Sequence, residues 1–228
     1  ISDVPVGSFL SGGIDSSLVT AIASTLKKDK IKTFSIGYDS KKYDESEYAL
    51  KVAKHLGTEH YAFKLTEDEV EEILSEIIFH YDEPFADASA FPTMIVSKLA
   101  RQHVTVTLSG DGADELFLGY GMYNWASRLA NPVVQAFRKP VFLATQFGNS
   151  AYKRGGLLLD YPSLAHIRSH IFSQEQYFHS EQDLKHLLLD ESFNFDRINL
   201  DTKTEKRELT PKGKQSFWDI NYYLKDDL

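Results

Sequence analysis

The chain has 228 residues, 42% of them hydrophobic and 25% charged, with a formal net charge of −8 and no cysteine. That composition belongs to a globular protein able to bury a sizeable core, and the acidic balance argues against broad nucleic-acid or anionic-membrane binding. Without cysteine, the chain offers no disulfide, thiolate zinc site, iron–sulfur cluster or cysteine nucleophile.

In chain order, residues 4–10 are short, apolar and bounded by glycine, as a buried strand should be. Residues 16–27 carry Leu18, Val19, Ile22, Ala23 and Leu26 at helical spacing. KTFSIGYD (32–39) reads as a second strand, DESEYALKVAKHLG (44–57) as a helix closed by Gly57, and HYAFKL (60–65) as a third strand. Residues 66–80 form a helical pattern opened by a capping box, Thr66 with Glu69. Pro92 suits the first turn of another helix, reaching about His103, and the β-branched residues 104–109 form a strand that runs into GDGADELF and a further helix.

Strands alternating with helices predict an α/β fold, a doubly wound parallel sheet with helices on both faces. After Trp125 the strand signals fade, and VVQAFRKPVFLATQF, SLAHIRSHIF and EQDLKHLLL read as a mostly helical subregion. Asn131-Pro132 and Gly155-Gly156 punctuate it, and residues 194–214 read as a polar surface loop. The expected division is therefore an α/β core over 1–128 and a helical part over 129–228. No run of about 18 apolar residues occurs and no signal peptide opens the chain, so a cytoplasmic location is expected. The chain begins at Ile1 rather than Met and stops within a helical pattern, NYYLKDDL, the expected look of a piece of a longer polypeptide.

Two strand-to-helix turns carry the chemistry. In Ser11-Gly12-Gly13-Ile14-Asp15-Ser16-Ser17 the glycines let backbone N–H groups approach an anion, and the next helix adds its N-terminal partial charge. Ser11, Ser16 and Ser17 offer hydroxyls to phosphate oxygens. Asp15 would repel a bare phosphate, so it points to a cation alongside, with Mg²⁺ the natural choice. The second turn, Ser109-Gly110-Asp111-Gly112-Ala113-Asp114-Glu115, holds three carboxylates within five residues. Asp114 is the candidate to complete the Mg²⁺ shell with Asp15, Asp111 is the candidate to meet substrate or position a proton, and Glu115 reads as a dipole-complementing acid. A lone Ser-Gly-Gly turn is usually only a turn. The functional reading rests on two such turns falling at strand carboxyl ends, where α/β sheets bind ligands. His55, His60, His80 and His103 lack ligand-like spacing, and Phe217, Trp218, Tyr222 and Tyr223 read as core.

These stretches resemble a known family. VPVGSFLSGGIDSSLV is similar to the pyrophosphate-binding loop of the PP-loop ATP pyrophosphatases, and LSGDGADELFLGY resembles the second motif of their asparagine synthetase and β-lactam synthetase branch. FSIGYD, YDESEYALKVAKHLGTEH and DEPFADASAFPT follow in the family's order; the resemblance is strong over residues 1–123 and looser beyond. It implies that ATP adenylates a small-molecule carboxylate with loss of pyrophosphate, after which an amine displaces AMP. It assigns phosphate contacts to Ser11, Gly12, Gly13, Asp15, Ser16 and Ser17, Mg²⁺ to Asp15 and Asp114, and other nucleotide contacts to Phe9, Leu10, Ile36, Ser109 and Gly110. Asp15 and Asp111 would carry the catalytic roles. It further implies ammonia from a glutaminase domain missing from this chain, no nucleic-acid or membrane partner, and room for a homodimer. Asp111 stands where the family usually has glutamate, and Leu118 where it often has glycine. The family's later basic residue would lie beyond Leu228. Amidation of another acid such as a sugar acid, β-lactam closure, and an inactive nucleotide-binding module remain open alternatives.

Overall fold

The computed structural model describes residues 2–38, 44–66, 73–74, 76–77, 79–81, 89–176 and 208–227. The chain forms two compact units, Ile1–Asp111 and Gly112–Leu228.

The first unit holds β1 (Val6–Phe9), α1 (Ile14–Leu26), β2 (Lys32–Tyr38), α2 (Ser46–Leu56), β3 (Glu59–Leu65), α3 (Ala90–Arg101) and β4 (Val106–Leu108). Its four strands form one parallel sheet in the order β3-β2-β1-β4. Phe9 pairs with Phe34 and Ser8 with Leu108, so β1 is central, with β2 and β4 beside it. The order explains which helix lies where. β1, β2 and β3 step in one direction, so right-handed crossovers put α1 and α2 on one face; the return from β3 to β4 puts α3 on the other. Side-chain parity agrees: Leu10 packs with Ala49 and Ala53 of α2, while Phe9 packs with Phe34, Ala100 and Val104 on the α3 face. The sheet is thus doubly wound.

The helix expected over 66–80 lies largely outside the described residues; the other sequence-predicted strands and helices of this unit recur with shifts of a few residues at their ends. Gly57 closes α2 in the left-handed conformation at φ 68°, the role expected of a glycine just past a helix. β4 is shorter than expected because Val104, just past the end of α3, turns its N–H back to the Ala100 carbonyl at 2.8 Å. Glu69 of the expected capping box and EQDLKHLLL (181–189) lie outside the described residues.

The second unit is helical: α4 (Ala113–Phe117), α5 (Tyr123–Leu129), α6 (Pro132–Thr145), α7 (Ser150–Leu157), a 3₁₀ turn (Leu164–His166), α8 (Ile167–Gln176), α9 (Pro211–Tyr222) and α10 (Leu224–Asp227). Its core gathers Met122, Tyr123, Ala126, Leu129, Tyr161 and Ile171. Arg138 lies 4.2 Å over the Tyr161 ring and donates to the carbonyls of Leu159 and Tyr161. Trp218 is buried as expected, whereas Phe217, Tyr222 and Tyr223 are half-buried.

Two readings need correction. Gly155-Gly156 is no break; both lie inside α7, where a side chain on Gly156 would strike Thr145 of α6, so Gly156 serves close helix packing while Gly155 faces open space. Residues 211–214, assigned to a surface loop, open α9. Thr210 caps that helix, accepting the Gly213 N–H at 3.2 Å, and Pro211 fits its first position. Asn131 caps α6 in the same way, accepting from the Val133 N–H at 2.9 Å. Among the described residues no helix is long and apolar enough to cross a membrane.

Candidate functional site

β1 is where the strand order reverses: the chain leaves it toward β2 on one side, and β4 arrives later on the other. In open α/β sheets ligands sit in the crevice at this switch point, outside the strand carboxyl ends. The loops that follow β1 and β4 are the two glycine-containing turns. A side chain on Gly110 would come within 2.8 Å of the Ser16 nitrogen and 3.2 Å of Asp15, so only glycine lets these loops close on each other.

The first loop is built from within. Leu10 is buried and its N–H bonds the Phe34 carbonyl at 2.9 Å, which fixes the end of β1. Gly12 then turns at φ 88°, pressed against α2; a Cβ there would lie 2.6 Å from the Ala49 nitrogen and from Tyr48 Cβ. The hydroxyls of Ser11 and Ser16 share a 2.9 Å hydrogen bond, the Ser11 N–H donates to Ser16 Oγ at 3.2 Å, and the Gly13 N–H donates to Ser11 Oγ at 3.2 Å. These two serines brace the loop. Ser17 differs: its Oγ is buried without a hydrogen-bond partner. A buried hydroxyl left unsatisfied is costly and marks a place where a ligand oxygen or water belongs.

Gly13 stands at the cap position before α1 and offers no side-chain cap. The first N–H groups of that helix therefore have no intrahelical acceptor and no capping oxygen, and they concentrate positive potential at the loop. Two buried side chains hold the helix in place: Ser8 and Thr20 hydroxyls meet at 2.9 Å, and Thr20 donates to the Ser16 carbonyl at 2.7 Å. Sequence reading passed over both, since a serine within a strand and a threonine within a helix carry no motif. Asp15 is half-buried at the start of α1. An uncapped helix start, a close glycine loop and an unsatisfied hydroxyl together fit a phosphate group.

The side chain of Phe9 belongs to the core, leaving its backbone to face the strand end, and Ile36 is half-buried near the end of β2. Beyond β2, Asp44 accepts from the N–H groups of Tyr38 at 3.4 Å and Ser46 at 3.0 Å. Hydrogen bonds from Ser46, its side chain foremost, hold the Asp44 carboxyl below the ordinary carboxylate range. Asp44 thus ties the strand end to the start of α2, a role its place in YDESEY did not announce. At the end of β4, Ser109 and Gly110 are half-buried and Asp111 is exposed, its N–H reaching Ser109 Oγ at 3.4 Å.

Asp114 lies in the second unit, on α4, which Gly112 precedes at φ 82°. The Gly119 N–H bonds the Asp114 carbonyl at 2.9 Å, and a side chain on Gly119 would strike the Asp114 carboxylate. Among the described residues no group of three or more His, Asp or Glu side chains is arranged to hold a metal ion. Glu115 corrects its sequence reading. It is 1% exposed, accepts the Tyr120 hydroxyl at 2.9 Å, and its backbone carbonyl accepts from Ser216 of α9 at 2.6 Å. It is an interior anchor, not a solvated dipole partner.

Leu118 closes α4 at φ 61°, ψ 41°, the one non-glycine residue with positive φ among those described. The left-handed region costs a branched side chain about 1–2 kcal/mol, while glycine adopts it freely. The backbone at Leu118 thus has the geometry that glycine adopts freely. Leu118→Gly is expected to raise stability by about 0.5–1 kcal/mol, the strain relief less the added unfolded-chain entropy, as read by urea unfolding.

A parallel α/β unit with its glycine loops at the switch point, followed by a helical unit, defines the class of this protein. Its family is shown by comparison: the Asparagine synthase family model matches residues 1–228, and the chain belongs to that family. It is similar to "Asparagine synthetase [glutamine-hydrolyzing] 1" of Bacillus subtilis, 47% identical over 122 residues, which is 54% of this chain and 19% of the relative. It is similar also to "Putative asparagine synthetase [glutamine-hydrolyzing] 2" of Methanocaldococcus jannaschii, 49% identical over 120 residues, 52% of this chain and 23% of the relative. "Asparagine synthetase [glutamine-hydrolyzing]" of Zea mays is 35% identical over 151 residues, 61% of this chain and 25% of the relative. The matched stretches span about a fifth to a quarter of these curated relatives' length.

Proposed function

We propose that this chain is the synthetase part of an ATP-dependent amide-forming enzyme of the asparagine synthetase kind. An oxygen of the substrate carboxylate attacks the α-phosphorus of ATP, and the bond to pyrophosphate breaks. Ammonia then attacks the acyl carbon of the acyl-adenylate, AMP leaves, and the amide remains. The relatives' names point to aspartate as the acid and to glutamine, hydrolysed in a glutaminase domain beyond these 228 residues, as the ammonia source. That source is not cysteine chemistry of this chain, which has no cysteine.

The observation that carries the reading is the loop after β1, closed against Gly110, with its uncapped helix start and the unpartnered Ser17 hydroxyl. The backbone N–H groups of Gly12 and residues 14–16 and the Ser17 hydroxyl would bind the departing pyrophosphate, with Ser11, Gly13 and Ser16 keeping the loop in shape. Phe9, Leu10, Ile36, Ser109 and Gly110 would border the nucleotide. Asp111, exposed at the end of β4, would meet the acceptor acid. Asp15 and Asp114 would hold Mg²⁺, which when bound neutralises phosphate charge. Catalysis would come mainly from positioning and charge stabilisation of the leaving group. In this reading 1–128 is the nucleotide-binding part and 129–228 its helical complement.

The test is calorimetric titration of Mg²⁺–ATP into the full-length protein. Asp15→Asn is expected to weaken binding about 10- to 100-fold, the loss of one contact to a charged group. Unchanged affinity would remove Asp15 from the metal site.

A further inference from the structure

A cluster of buried polar atoms in the second unit lies outside everything assigned above. α9 packs on α4, α5, α8 and α10, and its inward face carries Gln215, Ser216 and Asp219. Asp219 is 0% exposed and Glu115, facing it from α4, is 1% exposed. Two carboxyl groups thus share one dry interior.

Their hydrogen bonding leaves a shortage of donors. Gln215 spends its amide nitrogen on Asp219 Oδ1 at 3.0 Å and on the Arg168 carbonyl at 3.2 Å. Tyr120 donates to Glu115 Oε1 at 2.9 Å, and Ser216 donates to the Glu115 carbonyl. Glu115 Oε2, Asp219 Oδ2 and Gln215 Oε1 are left as three buried acceptors without partners. The Tyr123 hydroxyl of α5 lies beside Asp219 without reaching hydrogen-bond geometry. No described cation offsets the pair: Arg168 of α8 makes no ion pair there, its Nε being buried without a partner, and Lys225 of α10 is exposed. Interior carboxyl groups without a cation take up a proton, which turns an orphan acceptor into a donor.

We propose that Asp219 is held as a neutral carboxylic acid and, in that form, is the positioning residue that lets α9 sit against Glu115 and fix the α4 turn. This stands independently of the proposed chemistry. Burial, foremost, raises the Asp219 pKa from 3.8 to about 7, with the Glu115 charge adding to it while Gln215 and Tyr123 pull it down. The sign follows. A folded pKa above the unfolded one gives stability that is full below about pH 4 and is lost as pH rises through about 7. An asparagine is the closest neutral mimic of the protonated acid.

The test is urea unfolding of the chain from pH 5 to pH 8, comparing wild type with Asp219→Asn and Asp219→Ala. The wild-type midpoint is expected to fall as pH rises, by the linkage of about one proton. Asp219→Asn should remove that proton's share of the slope and equal or exceed wild type at pH 8, while Asp219→Ala is weaker than Asp219→Asn at every pH. An unchanged slope in Asp219→Asn, or equal losses in the two variants, overturns the proposal. Should a variant not fold, the wild type decides it: with aspartate carboxyl carbons ¹³C-labelled, one aspartate must read as neutral at pH 6. If every aspartate is ionised at that pH, the proposal is wrong.

Discussion

Gly12→Ala is expected to lower stability by about 2–5 kcal/mol, the left-handed strain of about 1–2 plus an overpacking cost of about 1–3. Two independent facts require glycine here. The residue turns at φ 88°, and its missing Cβ would lie 2.6 Å from the backbone nitrogen of Ala49, which has no rotamer to escape into. Relief therefore has to come from moving the loop or α2. Either shift opens the bracing between Ser11 and Ser16 and draws the helix start away from the strand end. Nucleotide affinity should fall together with stability. Urea unfolding alongside Mg²⁺–ATP titration checks both; a variant within about 0.5 kcal/mol of wild type would contradict the packing argument.

Phe34→Ala is the largest expected loss in the sheet, about 3–5 kcal/mol, read from the same unfolding curves. Phe34 is 0% exposed and packs among Phe9, Ala100 and Val104. Its ring stacks on Tyr61 at 5.5 Å and His103 at 5.9 Å between centroids. Gly7, on β1, makes the room: a Cβ there would lie 2.7 Å from Phe34 Cε2. Since the backbone of Phe34 also receives the Leu10 N–H, the cavity would open directly beneath the end of β1. A loss under about 1 kcal/mol would mean the α3 face collapses around the void.

Much of this fold is legible in the sequence. Alternating β-branched and apolar runs with helical stretches between them announced a parallel sheet, and the strands came out in nearly their expected places. That the two glycine turns could share one site was legible too, because both follow strands of a parallel sheet and so fall at its carboxyl ends; the strand order that makes them neighbours was not. Packing was not. Ser8 and Thr20 look like ordinary strand and helix residues, yet their hydroxyl contact sets α1 on the sheet. Glu115 looked like a helix-start acid, because nothing local says that α9, a hundred residues later, will cover it. Thr210-Pro211 was a legible helix start lost within a polar stretch. Gly155-Gly156 failed the other way: glycine signals either a turn or a close approach, and only the neighbouring helix decides which.

In the proposed function, the β1 and β4 loops serve cleavage of ATP between its α- and β-phosphates, driven by a carboxylate. The most direct measurement is ³¹P NMR of the full-length protein turning over Mg²⁺–ATP with aspartate and glutamine. The predicted products are AMP and pyrophosphate in equal amounts, formed only when the acid is present. Formation of ADP and orthophosphate instead, or pyrophosphate release that ignores the acid, would contradict it.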